Sequence, residues 1–172
     1  MHDAAYRFVS GVVAEHGFNQ KALSAVEFGA YDVNGSARAL FHHDTRWTGV
    51  DTRAGRGVDV VMPAEEYTPD RRVDVVLCTE TLEHAPDWRG IVAAARRALK
   101  AGGAFVVTAA GPGRTPHGCD GGDVGYEHYA NISPLDLAAA LDEAGFEDIA
   151  VENNERDHDV YAVAFAPKGK RR

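Results

Sequence analysis

The chain has 172 residues, a net charge of −8 and an ordinary hydrophobic share of 45%, which fits one domain with material for a full core. The acidic balance argues against a broad nucleic-acid footprint, which needs a basic face, and no apolar run approaches the roughly 20 residues of a membrane helix. Cys78 and Cys119 give no disulfide framework, and no signal peptide is visible, so a cytoplasmic location is expected.

Residues 3–16 read as a helix, with Tyr6, Phe8, Val9, Val12 and Val13 on one apolar side and Gly17 as its stop. Residues 23–28 form a first strand. A short helix is expected from Asn34 or Gly35 to about Leu40. Strands follow at 46–50, at 58–62 before Pro63, and at 73–78. The last is nearly continuous in apolar residues, as a strand buried on both faces must be. Asp87-Trp88 opens a helix that runs to Leu99-Lys100 and is expected to end at Gly102-Gly103. Residues 104–109 make a fifth strand. Residues 110–131 are glycine-rich and aperiodic, and loops of that length in compact domains usually carry function. Ser133-Pro134 starts a helix ending at Gly145. Strands at 149–152 and 160–165 flank the turn-rich 153–159 and read as an antiparallel hairpin. Residues 1–167 are taken as one domain, and Lys168-Gly169-Lys170-Arg171-Arg172 as a basic tail.

The alternation of strands and helices predicts an α/β fold with a mostly parallel sheet. Ligands in such folds bind at the carboxyl ends of the strands. Val26-Glu27-Phe28-Gly29 closes the first strand there, followed by Ala30-Tyr31-Asp32-Val33-Asn34-Gly35-Ser36, and Asp51 closes the second. A carboxylate at the position of Asp51 can accept both hydroxyls of a ribose. Gly29 and Gly35 do not form the G-x-G-x-x-G turn that a dinucleotide pyrophosphate requires. Glu27 and Asp32 would repel a pyrophosphate, whereas they suit a nucleoside cofactor bearing positive charge.

Three segments together carry a family resemblance: the E-x-G-x-x-D-x-N-G-S run from Glu27, Asp51, and Cys78-Thr79-Glu80-Thr81-Leu82-Glu83-His84. Over residues 22–166 the chain resembles the class I, Rossmann-like methyltransferases that use S-adenosylmethionine (SAM). The resemblance implies a seven-stranded sheet of order 3-2-1-4-5-7-6 with helices on both faces. It implies SAM as cofactor and S-adenosylhomocysteine (SAH) as product. By resemblance Glu27 serves the methionine end, Gly29 and Gly35 allow close backbone approach to the cofactor, Asp32 and Asn34 are cofactor-site residues, Asp51 takes the ribose, and Thr79 and Glu80 line the region of the methyl group. Relatives usually carry an aspartate for the adenine amino group where Pro63 stands here. Met62 would then pack on adenine, with Ala64 backbone or Glu65 replacing the lost acceptor. The Cys78–His84 segment is not the D/N-P-P-Y/F motif of DNA amino-methyltransferases.

The loop after the fifth strand supplies the expected acceptor wall. His117, Tyr126, His128 and Tyr129 are candidates to orient or deprotonate an acceptor. His117 and His128 are the first choices for a base, with His84 behind them. Beside Glu83, His84 either touches substrate or holds the loop. His117, Cys119, Asp120, Asp123 and His128 match no strong zinc spacing, and no metal is expected. The expected function is in-line methyl transfer to a small molecule, without membrane or nucleic-acid partners and with a homodimer as the assembly. The alternatives are a nucleic-acid or protein methyltransferase on the same fold, a SAM-binding protein without transfer activity, and a nicotinamide-dependent oxidoreductase.

Overall fold

The computed structural model describes residues 2–169; residues 170–172 of the expected basic tail lie outside the described residues. The strands are β1 (Ser24–Phe28), β2 (Arg46–Asp51), β3 (Val60–Val61), β4 (Val73–Thr79), β5 (Leu99–Ala110), β6 (Glu147–Asn154) and β7 (Asp159–Phe165). The α-helices are α1 (Asp3–Glu15), α2 (Trp88–Ala98) and α3 (Pro134–Glu143). The seven strands form one sheet in the order β3-β2-β1-β4-β5-β7-β6, as the resemblance implied. All pairings are parallel except those of β7 with β5 and β6.

Strand alternation sorts the core into two layers. Val75 and Leu77 of β4 pack with Val9, Val12 and Val13 of α1. Val76 and Cys78, one residue out of phase, pack with Ile91, Val92 and Ala95 of α2 and Leu137 and Leu141 of α3. The expected burial of β4 on both faces is what the structure has. Cys78 is a fully buried free thiol, and burial pushes its pKa far up. Asp87 caps α2 by accepting from Gly90 N at 3.0 Å, and Ser133 caps α3 by accepting from Asp136 N at 3.4 Å. Among the described residues no helix is long and apolar enough to cross a membrane.

Three expectations change. The helix from Asn34 or Gly35 to Leu40 is only a 3-10 turn, Ala37–Leu40. Of that turn only Ala37 is fully buried, and one buried side chain cannot offset the cost of nucleating a longer helix. The third strand shrinks to Val60–Val61 at the sheet edge, where Val61 is 57% exposed and gains little by pairing. The helix expected to run to Lys100 ends at Ala98. Leu99 is already extended, buried and paired with Val73. Gly102-Gly103 therefore stops no helix. It sits in an irregular stretch of β5, with Gly102 at φ +74°, and exchanges backbone hydrogen bonds with Ala166 at 2.9 and 2.8 Å.

Candidate functional site

The strand order reverses between β1 and β4, and a cavity of about 640 Å³ opens there at the carboxyl ends of β1, β2 and β4. That is the position expected for a ligand in an open α/β sheet. Of the residues singled out from sequence, Glu27, Gly29, Asp32, Asn34, Gly35, Asp51, Ala64, Thr79, Glu80, His84, His117 and His128 all line it. Met62 does not. Its side chain packs against the core, and its N–H donates to Asp51 O at 2.9 Å. Pro63, Ala64 and Ile91 supply an apolar edge instead.

The β1 loop is braced by pairs that the sequence reading missed. Glu27 is nearly buried and accepts from Arg38 Nε at 2.6 Å, while Arg38 Nη2 donates to Gly57 O at 2.7 Å. Burial pushes the Glu27 carboxyl up in pKa despite the opposing pull of Arg38. Asp32 accepts from Gly35 N at 2.7 Å and pairs with Arg56 at 2.6 Å. These two carboxylates are therefore charge-balanced, and the expected repulsion of a pyrophosphate by Glu27 and Asp32 is corrected. What disfavours a pyrophosphate is the 3-10 turn after Gly35. It leaves no α-helix N-terminus to hold a phosphate at the end of β1. The two glycines also differ. A Cβ on Gly29, at φ +73°, would collide with Thr81, whereas one on Gly35 would meet nothing. Gly29 thus lets the β1 and β4 loops touch while it lines the cavity.

Asp51 ties the β1 and β2 loops together. Its Oδ2 accepts from Tyr31 N at 3.1 Å and its Oδ1 from Arg53 N at 2.9 Å. Each oxygen keeps a second lone pair, so a diol can still be received. The Arg53 guanidinium lies 4.5 Å from the centre of the Tyr31 ring, a cation–π contact on the same rim.

At the far end, Thr79 and Glu80 follow β4. Glu80 has φ +51° and its N–H donates to Thr108 O at 2.8 Å. Its Oε2 lies 3.2 Å from His2 Nε2, and its Oε1 is buried without a protein partner. No strand-end pattern could have found His2, which α1 carries in from the start of the chain. Arg114, from the loop expected to form the acceptor wall, lines the same cavity and donates to Asp159 Oδ1 at 2.9 Å.

The loop after β5 closes the cavity with His117, Gly118–Gly121, Glu127 and His128. His84, His117 and Tyr129 meet edge-on, with ring centres 5.0–5.5 Å apart. His117 Nδ1 lies 3.0 Å from Thr115 O. A carbonyl only accepts, so this contact places the proton on Nδ1 and leaves Nε2 as the basic nitrogen. Burial, then the neighbouring His117, pushes the His84 pKa down, so His84 is neutral at neutral pH. Glu83 is fully buried, and burial, then the charge of Glu80, raises its pKa well above the carboxylate range. His128 is exposed, and Tyr126 projects fully into solvent away from the cavity lining. Donor atoms of Glu83, His84 and His117, and likewise of His2, Glu80 and Asp159, lie within 4.8 Å of one another. The second group is balanced as an ion-pair cluster. In the first, a protonated Glu83 makes a poor metal ligand.

The site suits SAM on its own features. A carboxylate stands at the end of β2, an apolar edge flanks it, no α-helix N-terminus waits after β1 for a phosphate, and a buried carboxylate oxygen without a partner fits a cationic ligand. Comparison with known proteins agrees. The profile of a methyltransferase-domain family matches residues 10–151. A ubiquinone biosynthesis O-methyltransferase from Idiomarina loihiensis is 32% identical over 143 residues, 65% of this chain; the chain spans 56% of that protein's length. The fold is similar to that of a Burkholderia thailandensis 1,6-didemethyltoxoflavin-N1-methyltransferase solved with its acceptor and SAH. The TM-score is 0.69 at 20% identity, over 96% of this chain and 79% of that one. It is also similar to a SAM-dependent methyltransferase from Archaeoglobus fulgidus, with a TM-score of 0.64 at 15% identity, over 93% of this chain and 94% of that one. With its family profile matched across most of its length and the seven-stranded order in place, the chain belongs to the class I, Rossmann-like family of SAM-dependent methyltransferases.

Proposed function

We propose that the protein transfers a methyl group from SAM to a small-molecule acceptor. The observation that carries this reading is a single cavity joining the Asp51 end to the wall of His84 and His117. A donor and an acceptor fit side by side only where such a wall faces the donor's reactive end. The small-molecule character is supported by the loop after β5, which roofs the cavity and makes a pocket of it. It is also supported by the similarity to the Idiomarina ubiquinone biosynthesis O-methyltransferase and the Burkholderia 1,6-didemethyltoxoflavin-N1-methyltransferase.

When bound, SAM supplies a methyl group already activated on a sulfonium centre. The chain supplies mainly alignment, an effect worth about 7–11 kcal/mol in favourable cases. Asp51 would receive the ribose hydroxyls, and Pro63, Ala64 and Ile91 would flank the adenine. Thr79 and Glu80 would hold the charged end. His117 is oriented by Thr115 O and is placed to take a proton at Nε2 from an acceptor hydroxyl or amine. His84 packs edge-on against it as a neutral ring. Tyr129 lies behind the cavity lining, where its Oη donates to Thr115 O at 3.5 Å and its ring packs edge-on against both histidines; burial pushes its phenol up to about 12, so it stays protonated.

Calorimetry tests the reading directly, with SAM and SAH as ligands and NAD as control. Micromolar binding of the first two with silence from the third supports it. Absence of binding by folded protein would overturn it. Radiolabelled methyl uptake into small-molecule acceptors, set against RNA and protein fractions, then tests the acceptor class.

A further inference from the structure

The start of the chain reaches the reactive end of the cavity. Phe8 of α1 stacks on Tyr161 of β7, ring centres 4.8 Å apart, and Ala5 and Val9 are fully buried beneath the helix. This docking fixes where the first turn of α1 points, and it delivers His2 to the cavity lining. His2 Nε2 lies 3.2 Å from Glu80 Oε2 and 3.0 Å from Asp159 Oδ2, without a well-aligned hydrogen bond to either.

Asp159 is an immobile anchor. It is fully buried, Tyr161 Oη donates to its Oδ2 at 2.7 Å, and Arg114 Nη1 donates to its Oδ1 at 2.9 Å. Arg114 is itself held by Asp157 O at 2.8 Å. Glu80 is the partner on the loop that follows β4. It sits there at a left-handed φ of +51°, which an L residue adopts only when its surroundings hold it there. Two carboxylates on one imidazole nitrogen repel unless the ring is cationic.

We propose that His2 is a positioning residue: its imidazolium bridges Glu80 Oε2 to the fixed Asp159, so that the Glu80 carboxyl is held at the cavity wall for the charged end of the cofactor. The proposal rests on the methyltransferase reading for the identity of that cofactor. Without the bridge Glu80 is pushed off by Asp159 and loses its fixed aim. The first turn of α1 is then part of the binding site, although no sequence motif of the site includes it.

Two measurements test it. The first needs no cofactor: the His2 ring is titrated by NMR in the wild type and in Glu80→Gln. The groups facing the ring are Glu80 and Asp159, with Arg114 and Tyr161 bound to Asp159 behind it. His2 should titrate far above an ordinary histidine and should move down in Glu80→Gln. An ordinary titration unaffected by Glu80→Gln overturns the bridge, whatever SAM does. The second is a double-mutant cycle on SAM affinity. His2→Ala should weaken SAM about tenfold, His2→Lys should restore most of the loss, and His2→Ala added to Glu80→Gln should cost nothing further. Wild-type affinity in His2→Ala, or losses that add in full, overturns the positioning role. If α1 undocks in His2→Ala, as read by near-ultraviolet circular dichroism, His2→Gln takes its place. A folded wild type that binds no SAM refutes the methyltransferase reading, while the titration still decides the bridge.

Discussion

Gly29 and Thr81 bring the loops after β1 and β4 so close together that a Cβ on Gly29 would overlap the Thr81 hydroxyl. The contact stiffens the floor of the cavity where the sheet order reverses. Gly29→Ala should therefore destabilise the fold by at least about 2 kcal/mol, from left-handed strain and overlap combined. Thr81→Ala in the same chain should recover part of that loss. Chemical denaturation of the four variants of the cycle gives the coupling. Losses that simply add would show that the two loops do not press on each other.

Asp51 has two duties, and substitution separates them. Asp51→Ala removes the acceptors of Tyr31 N and Arg53 N as well as the ribose acceptor. A charge-assisted hydrogen bond contributes about 1.5–3 kcal/mol, so SAM affinity should fall by at least tenfold. Asp51→Asn keeps one acceptor oxygen and should fall between Asp51→Ala and the wild type. Calorimetry on both variants, with melting curves as the folding control, settles the assignment.

Removal of His117 should separate binding from chemistry. His117→Ala should leave SAM affinity within about twofold and lower kcat by 10²- to 10⁴-fold, the usual range for a lost general base. That holds for an acceptor that must lose a proton. His128→Ala, at an exposed position on the rim, should change kcat far less. Equal losses from both would move the base away from Nε2 of His117.

Glu83 gives the protein a pH-dependent weakness. Its folded-state pKa is raised by burial and by Glu80, so the unfolded chain ionises first as pH rises. The stability tied to the neutral carboxyl is fully present below an ordinary glutamate pKa and is lost as pH climbs through the folded value. Glu83→Gln cannot ionise. Its melting temperature relative to wild type should therefore increase between pH 5 and pH 8. A constant difference across that range would mean that Glu83 is ionised in the folded protein.

Much of this architecture is legible in the chain. Apolar runs and their breakers mark β1, β2, β4 and the β6–β7 hairpin, because each is a buried segment bounded by polar or glycine residues. Most of the cavity lining is legible too, since strand ends follow from the strands. What escaped is what tertiary contacts decide. The 3-10 turn at Ala37–Leu40 and the early start of β5 at Leu99 reflect packing, not local periodicity. The pairing of Arg38 with Glu27 and of Arg56 with Asp32 overturned a charge argument built on the acids alone. His2 lies 78 positions from Glu80 in sequence, and only the docking of α1 brings them together. Met62 was misplaced by one step, since Pro63 and Ala64 turn toward the cavity while Met62 turns to the core.

The long segment after β5 leaves and returns at nearly the same place. Ile132 N donates to Ala110 O, and Ala130 N to Glu83 O, both at 2.8 Å. The twenty-odd residues between hang from that clasp, and the cost of closing such a loop grows only slowly with its length. The stretch can therefore be lengthened or reshaped at small cost to the sheet. Arg114 is the exception, since its hold on Asp159 belongs to the cofactor end, so the exchangeable part is residues 115–131. Grafting that stretch between relatives is the direct route to redirecting the enzyme.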